Sequence, residues 1–380
     1  MKTMKTIALG LASLACCGAL PAAGSGPAPV LTVGHVGHDH QTALYVALDN
    51  RDLARNRCGI DIRVVKDRQR YEIYRGGGKI ADLDIILVGG GSKMPTALAQ
   101  GIIDAGLGGV PAVFAAADGG APVKLISPLH SKGDMLAVRP GFPADDWTGF
   151  VEAVSRAEAP VLIGYKSPVA VAKLVFEDAL LHEGLTFSGD PSRRDVDVRM
   201  VNVKGGGRLN ASVAGGLIDG YAGNNPFPEI GAEKGIVKVI ADLEDLPPGR
   251  FRDHPCCCVA ANAAALKAKR EALEAFLEMI IAGTEAMNTD VEIAAEAAAR
   301  WIGTSVELER RSIATSGYST SADDHWRETM GAWLAAMNDL DQFAGKLKGL
   351  SEREAGEIAY DLSLLEKARE RLQERAREAR

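Results

Sequence analysis

Apolar and polar positions follow two rhythms along this chain. VLTVGHVG, Val30 to Gly37, is a β-branched run closing on glycines, which predicts a buried strand. HQTALYVALDNRD then takes up helical spacing, GIDIRVVKD alternates as a second strand, and DLDIILVGGGS is a third that ends in three glycines. KMPTALAQGIIDAGLG reads as a helix running into a further strand. Strands alternating with helices predict an α/β fold with mainly parallel pairing. From Ala263 the pattern turns helical, through ALKAKREALEAFLEMIIAGTEAMNTD, VEIAAEAAARWIG, SVELERRSIATS and DDHWRETMGAWLAAMNDL. The last stretch begins with Ser351 and Glu354 spaced as a capping box and ends in a highly charged helix, expected to stand in solvent and fray.

An internal repeat organises the α/β part. LAQGIIDAGLGGVPA (Leu98 to Ala112) and VAGGLIDGYAGNNPF (Val213 to Phe227) align at an offset of 115. Gly101 then matches Gly216, Asp104 matches Asp219, Gly108 matches Gly223, and Pro111 matches Pro226. With small shifts LVGGGS resembles VKGGGR, PVKLIS resembles IVKVIA, and VLTVGH resembles VLIGYK. The period is far too long for a solenoid and predicts two homologous α/β lobes. Their matching loops lie at strand carboxyl ends, where open parallel sheets place ligands, so two facing lobes make a cleft.

Composition narrows the function. The 380 residues are 47% hydrophobic and 24% charged, enough for two cores. A formal net charge of -7 and 5% aromatics give neither a basic nucleic-acid footprint nor a base-stacking platform. Lys2 and Lys5 precede an apolar run from Ile7 to Leu20, and Ala22-Ala23-Gly24 offers small residues for cleavage. Residues 1–24 therefore read as a signal peptide, and the product as exported, with lipidation at Cys16 or Cys17 as the alternative. Cys58, Cys256, Cys257 and Cys258 remain, and export leaves a disulfide from Cys58 open. No Gly-x-Ser-x-Gly elbow, phosphate loop or dinucleotide fingerprint is present, and no catalytic residue or cofactor is expected.

Taken in order, LTVGHVGHDHQTALYVALDN, the repeated blocks, YKSPVAVAKLVFEDALLHEGL, LIDGYAGNNPFPEIGAEKG and DHPCCCVAA resemble the nitrate/taurine/alkanesulfonate class of periplasmic solute-binding proteins of ABC importers, with its pyrimidine-binding relatives. The resemblance covers roughly 30–303. It implies a two-lobed periplasmic-binding-protein fold, type II-like, that closes on a small ligand like a hinge. Lobe I would hold 28–127 and 256–345, lobe II 128–255, and 346–380 would be the charged C-terminal helix. The implied function is a monomeric receptor that captures a small polar, anionic-leaning solute and delivers it to an inner-membrane permease, with no nucleic-acid partner.

Each site candidate has a plainer reading beside it. His38, Asp39, His40 and Gln41 end the first strand, as solute contacts, a metal site or a polar loop. No His-x3-His or Cys-x2-Cys pair accompanies them, and no metal ligand is assigned. Gly90, Ser92 and Gly109 lie in glycine turns that either approach a ligand or only turn the chain. Ser167 is expected as an N-cap with Pro168 at the first helical position, a start that favours an anion, with Lys166 adding charge. Asn224 and Asn225 suit a polar solute or brace a turn.

His254 and Cys257 sit where the chain crosses back to lobe I. In a regular strand Cys256 and Cys258 point one way and Cys257 the other. The thiols then read as small buried apolar groups, as solute contacts through His254 or Cys257, or as metal or redox chemistry. Fungal pyrimidine-precursor synthases share the implied fold and carry Cys-Cys-Cys-Phe-Cys, with a role in iron binding. Here Val259 and Ala260 follow Cys258, so the last cysteine is missing. A metal-dependent or redox protein using His254 and Cys256–Cys258 is the alternative class, and a sensor that uses the charged tail is a third.

Overall fold

The computed structural model describes residues 27–90 and 93–378. The signal-peptide reading, Cys16, Cys17 and Ser92 lie outside the described residues. Among the described residues, fourteen strands form two sheets. They are β1 (Val30–His35), β2 (Asp61–Lys66), β3 (Arg70–Arg75), β4 (Gly78–Leu87), β5 (Ala105–Gly109), β6 (Val123–Lys132), β7 (Asp134–Val138), β8 (Val161–Tyr165), β9 (Phe187–Ser188), β10 (Val198–Asn202), β11 (Gly220–Asn224), β12 (Lys238–Asp242), β13 (Pro255–Asn262) and β14 (Ser316–Tyr318). The first sheet has the order β14-β6-β13-β5-β1-β4-β3-β2 and the second β12-β7-β11-β8-β10-β9.

The repeat in the sequence is a repeat in space. β1 lies between β4 and β5, both parallel to it, and β8 lies between β10 and β11 in the same way. The repeated aspartates do the same work in each sheet. Asp104 Oδ2 accepts from the Thr32 amide at 2.8 Å, and Asp219 Oδ2 accepts from the Leu162 amide at 3.0 Å. Each aspartate's own amide returns a 2.8 Å bond to the carbonyl of that same residue. One amide of each central strand is thereby satisfied by an aspartate side chain at equivalent places.

Parallel pairing joins β1 to β4 and β5 in the first sheet and runs from β11 through β8 and β10 to the edge strand β9 in the second. The hairpin strands β2 and β3, and β13, β6 and β14, pair antiparallel, as do β7, β11 and β12. This narrows the expectation of mainly parallel sheets. Its cause is local: Gly76 and Gly77, both at positive φ, close a tight β3–β4 hairpin, and the returning strand β13 enters from the other sheet. β6 stays in the first sheet to Lys132 and β7 opens the second at Asp134, so one residue, Gly133, turns the chain from one to the other.

The charged C-terminal helix Ser363–Glu378 does not stand free, which corrects the expectation of a fraying tail. Leu364, Leu365, Ala368 and Leu372 are buried, and the helix packs along Arg270–Thr289. Arg371 reaches both Glu274 and Glu278 on that helix. The capping box is present as read, with Ser351 and Glu354 bonded to each other's backbone.

Candidate functional site

Two compartments meet at the carboxyl ends of the central strands. The outer one is a crevice of about 350 Å³ between the sheets. Gly89, Gly90 and Lys93, just beyond β4, line one wall, and Lys166, Ser167, Asn202, Lys204, Gly205 and Gly206, beyond β8 and β10, line the other. The two glycine turns of the repeat thus face one another. Among the described residues, three lysines and no carboxylate line this space.

The inner compartment is a cavity of about 20 Å³ lined by His38, His40, Gly109, Asp134, Lys166, Ser167, Val171, Cys256 and Cys257, among others. It has room for about one water-sized group. A Cβ on Gly109 would stand 3.2 Å from Val171 Cγ2, a tight contact that the valine would have to yield to by a few tenths of an ångström.

A β-bulge builds the floor. Against β6, Pro255 pairs with Ser131 and Cys257 with His130, so two steps on β13 oppose one on β6. Strict alternation fails at this point, which corrects the expected facing of the thiols. Cys256 and Cys257 turn to one side, with Sγ atoms 3.8 Å apart, and Cys258 Sγ lies separately against the Gly108 carbonyl at 3.6 Å. His40 Nδ1 is 3.3 Å from Cys256 Sγ and 3.9 Å from Cys257 Sγ. Its Nε2 faces the Gly133 carbonyl at 3.2 Å. The His130 ring stacks on His40, centroids 3.7 Å apart, and the His38 ring meets His40 edge-on. All four cysteines among the described residues are free, and Cys58 lies against the Glu278 carbonyl at 3.4 Å, so no disulfide reaches this cluster.

Burial and charge set the protonation of the group. Burial holds the His38 and His130 imidazoles well below their ordinary pKa. Burial also opposes charge on His40, yet the Cys257 thiol and the Asp39 carboxyl outweigh it and raise the pKa. The hydrogen bond from Cys256 leads in lowering Cys257 to about 6, with His40 and Lys166 adding to it, and burial raises Cys256. Burial pushes the Asp134 carboxyl up, but His254, 3.7 Å away, with His40 and Lys166 brings it below the usual range. Burial is the main force raising Asp39.

The remaining expected residues brace this centre. Asp39 accepts from Ser312 Oγ, and its carbonyl accepts from Tyr318 Oη at 3.0 Å. Gln41 spends its amide on the Val36 amide and the Leu107 carbonyl, at 2.7 and 2.8 Å. Asn224 accepts from Lys166 Nζ, and Asn225 Nδ2 donates to Thr315 Oγ1 at 2.7 Å. His254 donates through Nδ1 to the Phe251 carbonyl at 2.7 Å, and among the described residues no hydrogen bond joins it to a cysteine. His40 takes the place the sequence reading gave to His254. Ser167 is not an N-cap: the helix runs Val171–His182, and a turn from the Ser167 carbonyl to the Ala170 amide precedes it. The dipole argument at Ser167 fails with it, and charge at that wall comes from Lys166 and Lys204.

Sequence reasoning missed His130, Gly133 and Asp134 as members of the site, and brought in Cys256 only through the metal or redox alternative. A histidine and an aspartate flanking a glycine in SPLHSKGD, just where one lobe gives way to the other, was the available signal.

The family model described as the NMT1-like family matches residues 80–303. An uncharacterized protein of Methanocaldococcus jannaschii is 39% identical over 105 residues, 27% of this chain and 72% of that one. Among solved structures, the zinc-bound ligand-binding component of an ABC-type import system from Staphylococcus aureus superposes with a TM-score of 0.68 at 14% identity, over 90% of this chain and 99% of that one. The periplasmic nitrate-binding protein of Synechocystis PCC 6803 gives 0.67 at 12% identity, over 90% and 88%. At such identities the structures establish a shared periplasmic-binding-protein fold, and with the match across more than half its length the chain belongs to the NMT1-like family.

Proposed function

We propose that this protein is the extracytoplasmic solute-binding receptor of an ABC importer, capturing a small anionic solute between two lobes and presenting it to an inner-membrane permease. The lobes are carried by the two sheets, with Gly133 and the start of β13 as the crossings. The observation that carries the reading is the outer crevice. It is built from both lobes, its volume of about 350 Å³ suits a small molecule, and among the described residues Lys93, Lys166 and Lys204 line it without an opposing carboxylate. A nitrate-binding protein and an import-system component share the fold, which is consistent with this class. A sulfonate, nitrate or carboxylate is the expected chemistry, and an anionic pyrimidine derivative also fits the volume.

Closure works by differential contact. Lys93 comes from one lobe, Lys166 and Lys204 from the other, so an anion touching all three is held only when the lobes meet, and it shifts the population toward the closed form. No catalytic step is part of this reading. Native mass spectrometry of gently purified protein, followed by a thermal-shift panel of sulfonates, nitrate, carboxylates and pyrimidines, tests it. A retained or stabilising anion that Lys166→Ala together with Lys204→Ala abolishes supports the reading. Stabilisation only by neutral or cationic solutes contradicts it.

A further inference from the structure

Beneath the solute crevice, we infer a binding site for one thiophilic transition-metal ion of the zinc(II) or copper(I) class, held by His40, His130, Cys256 and Cys257. The four donor atoms lie within 4.8 Å of one another and all four residues are buried. A tetrahedral ion with bonds of about 2.3 Å to sulfur and about 2.0 Å to nitrogen has donor–donor edges of roughly 3.3–3.8 Å. The edges among Cys256 Sγ, Cys257 Sγ and His40 Nδ1 are 3.8, 3.3 and 3.9 Å. Three corners of the coordination shell are therefore already set. His130 supplies the fourth after its stacked ring turns.

Independent observations point to a ligand here. Both ring nitrogens of His130 are buried without a hydrogen-bond partner, as are His38 Nδ1, Asp39 Oδ1 and Asp134 Oδ2 around it. Buried polar atoms normally find partners, and several orphans around one point mark a place for one. His40 is also oriented as a ligating histidine is. Its Nε2–H donates to the Gly133 carbonyl, so Nδ1 is the nitrogen that faces the thiols and would give up any proton to ligate an ion. Two thiolates and two neutral imidazoles balance a divalent ion or nearly balance a monovalent one, and this donor set selects zinc(II) or copper(I) over hard oxygen-seeking cations.

The third cysteine is outside the set, because the bulge sends Cys258 to the Gly108 carbonyl. All four donors sit on the first sheet or the loop after β1, so the site forms without lobe closure and holds a resident ion rather than the transported solute. It also has its own approach. A second cavity of about 120 Å³ reaches His130 past Asp253, Asp323 and His325 and shares no lining residue with the lysine crevice.

The test is to strip the full-length protein with chelator under reducing conditions, reload it with zinc(II) or copper(I), and measure stoichiometry and X-ray absorption. The expected result is one ion per chain with two sulfur and two nitrogen neighbours. Cys256→Ser with Cys257→Ser should remove it. His130→Gln, which keeps both thiols should the double variant fail to fold, should weaken binding by more than the roughly 10–100-fold usual for an outer-shell partner. His325→Ala should slow loading and leave the final stoichiometry at one. Less than a tenth of an ion per chain, light-atom coordination only, or a third sulfur would overturn the inference. Lys93→Ala with Lys204→Ala, which line the crevice and not the inner cavity, should weaken anion binding and still load fully, so loss of anion binding and loss of the metal site are separate outcomes.

Discussion

Gly133 has φ +74°, and a Cβ there would stand 2.3 Å from Ser316 Oγ and 3.1 Å from His40 Nε2. Gly133→Ala should therefore lower stability by about 1–3 kcal/mol in urea denaturation, and an unchanged midpoint would show that the turn relaxes freely. Glu309 is a second residue with a directional consequence. Burial, with Asp39 nearby, pushes its carboxyl up to about 8. The folded state thus holds a proton the unfolded state has lost, so this contribution is present at low pH and disappears as pH rises through about 8. Glu309→Gln should narrow the fall in thermal midpoint between about pH 5 and about pH 9, and an undiminished fall would contradict it. Burial raises the Cys58 thiol to about 12, so native protein should resist alkylation there at pH 8 while unfolded protein is labelled, as peptide mapping by mass spectrometry can read. The HDHQ cluster was legible because polar residues follow a buried strand. His130 and Asp134 were not, because a single histidine in an apolar strand carries no periodic signal, and its ring partner His40 and strand partner Cys257 lie 90 and 127 positions away.

The C-terminal helix shows what patterning conceals at the element scale. Its charge suggests exposure, but Leu364, Leu365, Ala368 and Leu372 form a stripe buried on the helix Arg270–Thr289. Leu364→Ala should cost about 2–5 kcal/mol in chemical denaturation, and a cost below about 1 kcal/mol would return the helix to the role of a loose tail. The capping box at Ser351 was readable because it is a contact between near neighbours. The helix start after Lys166 was misread because Ser-Pro also opens a turn, and three residues of turn separate Ser167 from the helix. The bulge at Cys256 was unreadable: alternation is a default for a strand, and the irregular pairing with Pro128, Leu129 and His130 is fixed by a partner strand more than a hundred positions away.

For the whole molecule, the duplicated lobes were visible in sequence because the same short chemistry recurs in order. Asp104 and Asp219 are its anchor, each closing the amide of an equivalent strand. The antiparallel margins were not visible, since β13 and β14 join the first sheet from far along the chain. The resulting molecule sets a lysine-lined crevice over a buried histidine–cysteine floor, with Lys166 shared between them. Capture of an anion by the crevice is the central claim, and calorimetric titration of a nitrate, sulfonate and carboxylate panel against the wild type and the Lys166→Ala, Lys204→Ala double variant tests it most directly. The account predicts one-to-one binding of at least one anion by the wild type and none by the variant. Absence of any anion binding, or binding that the two lysines do not affect, would contradict it.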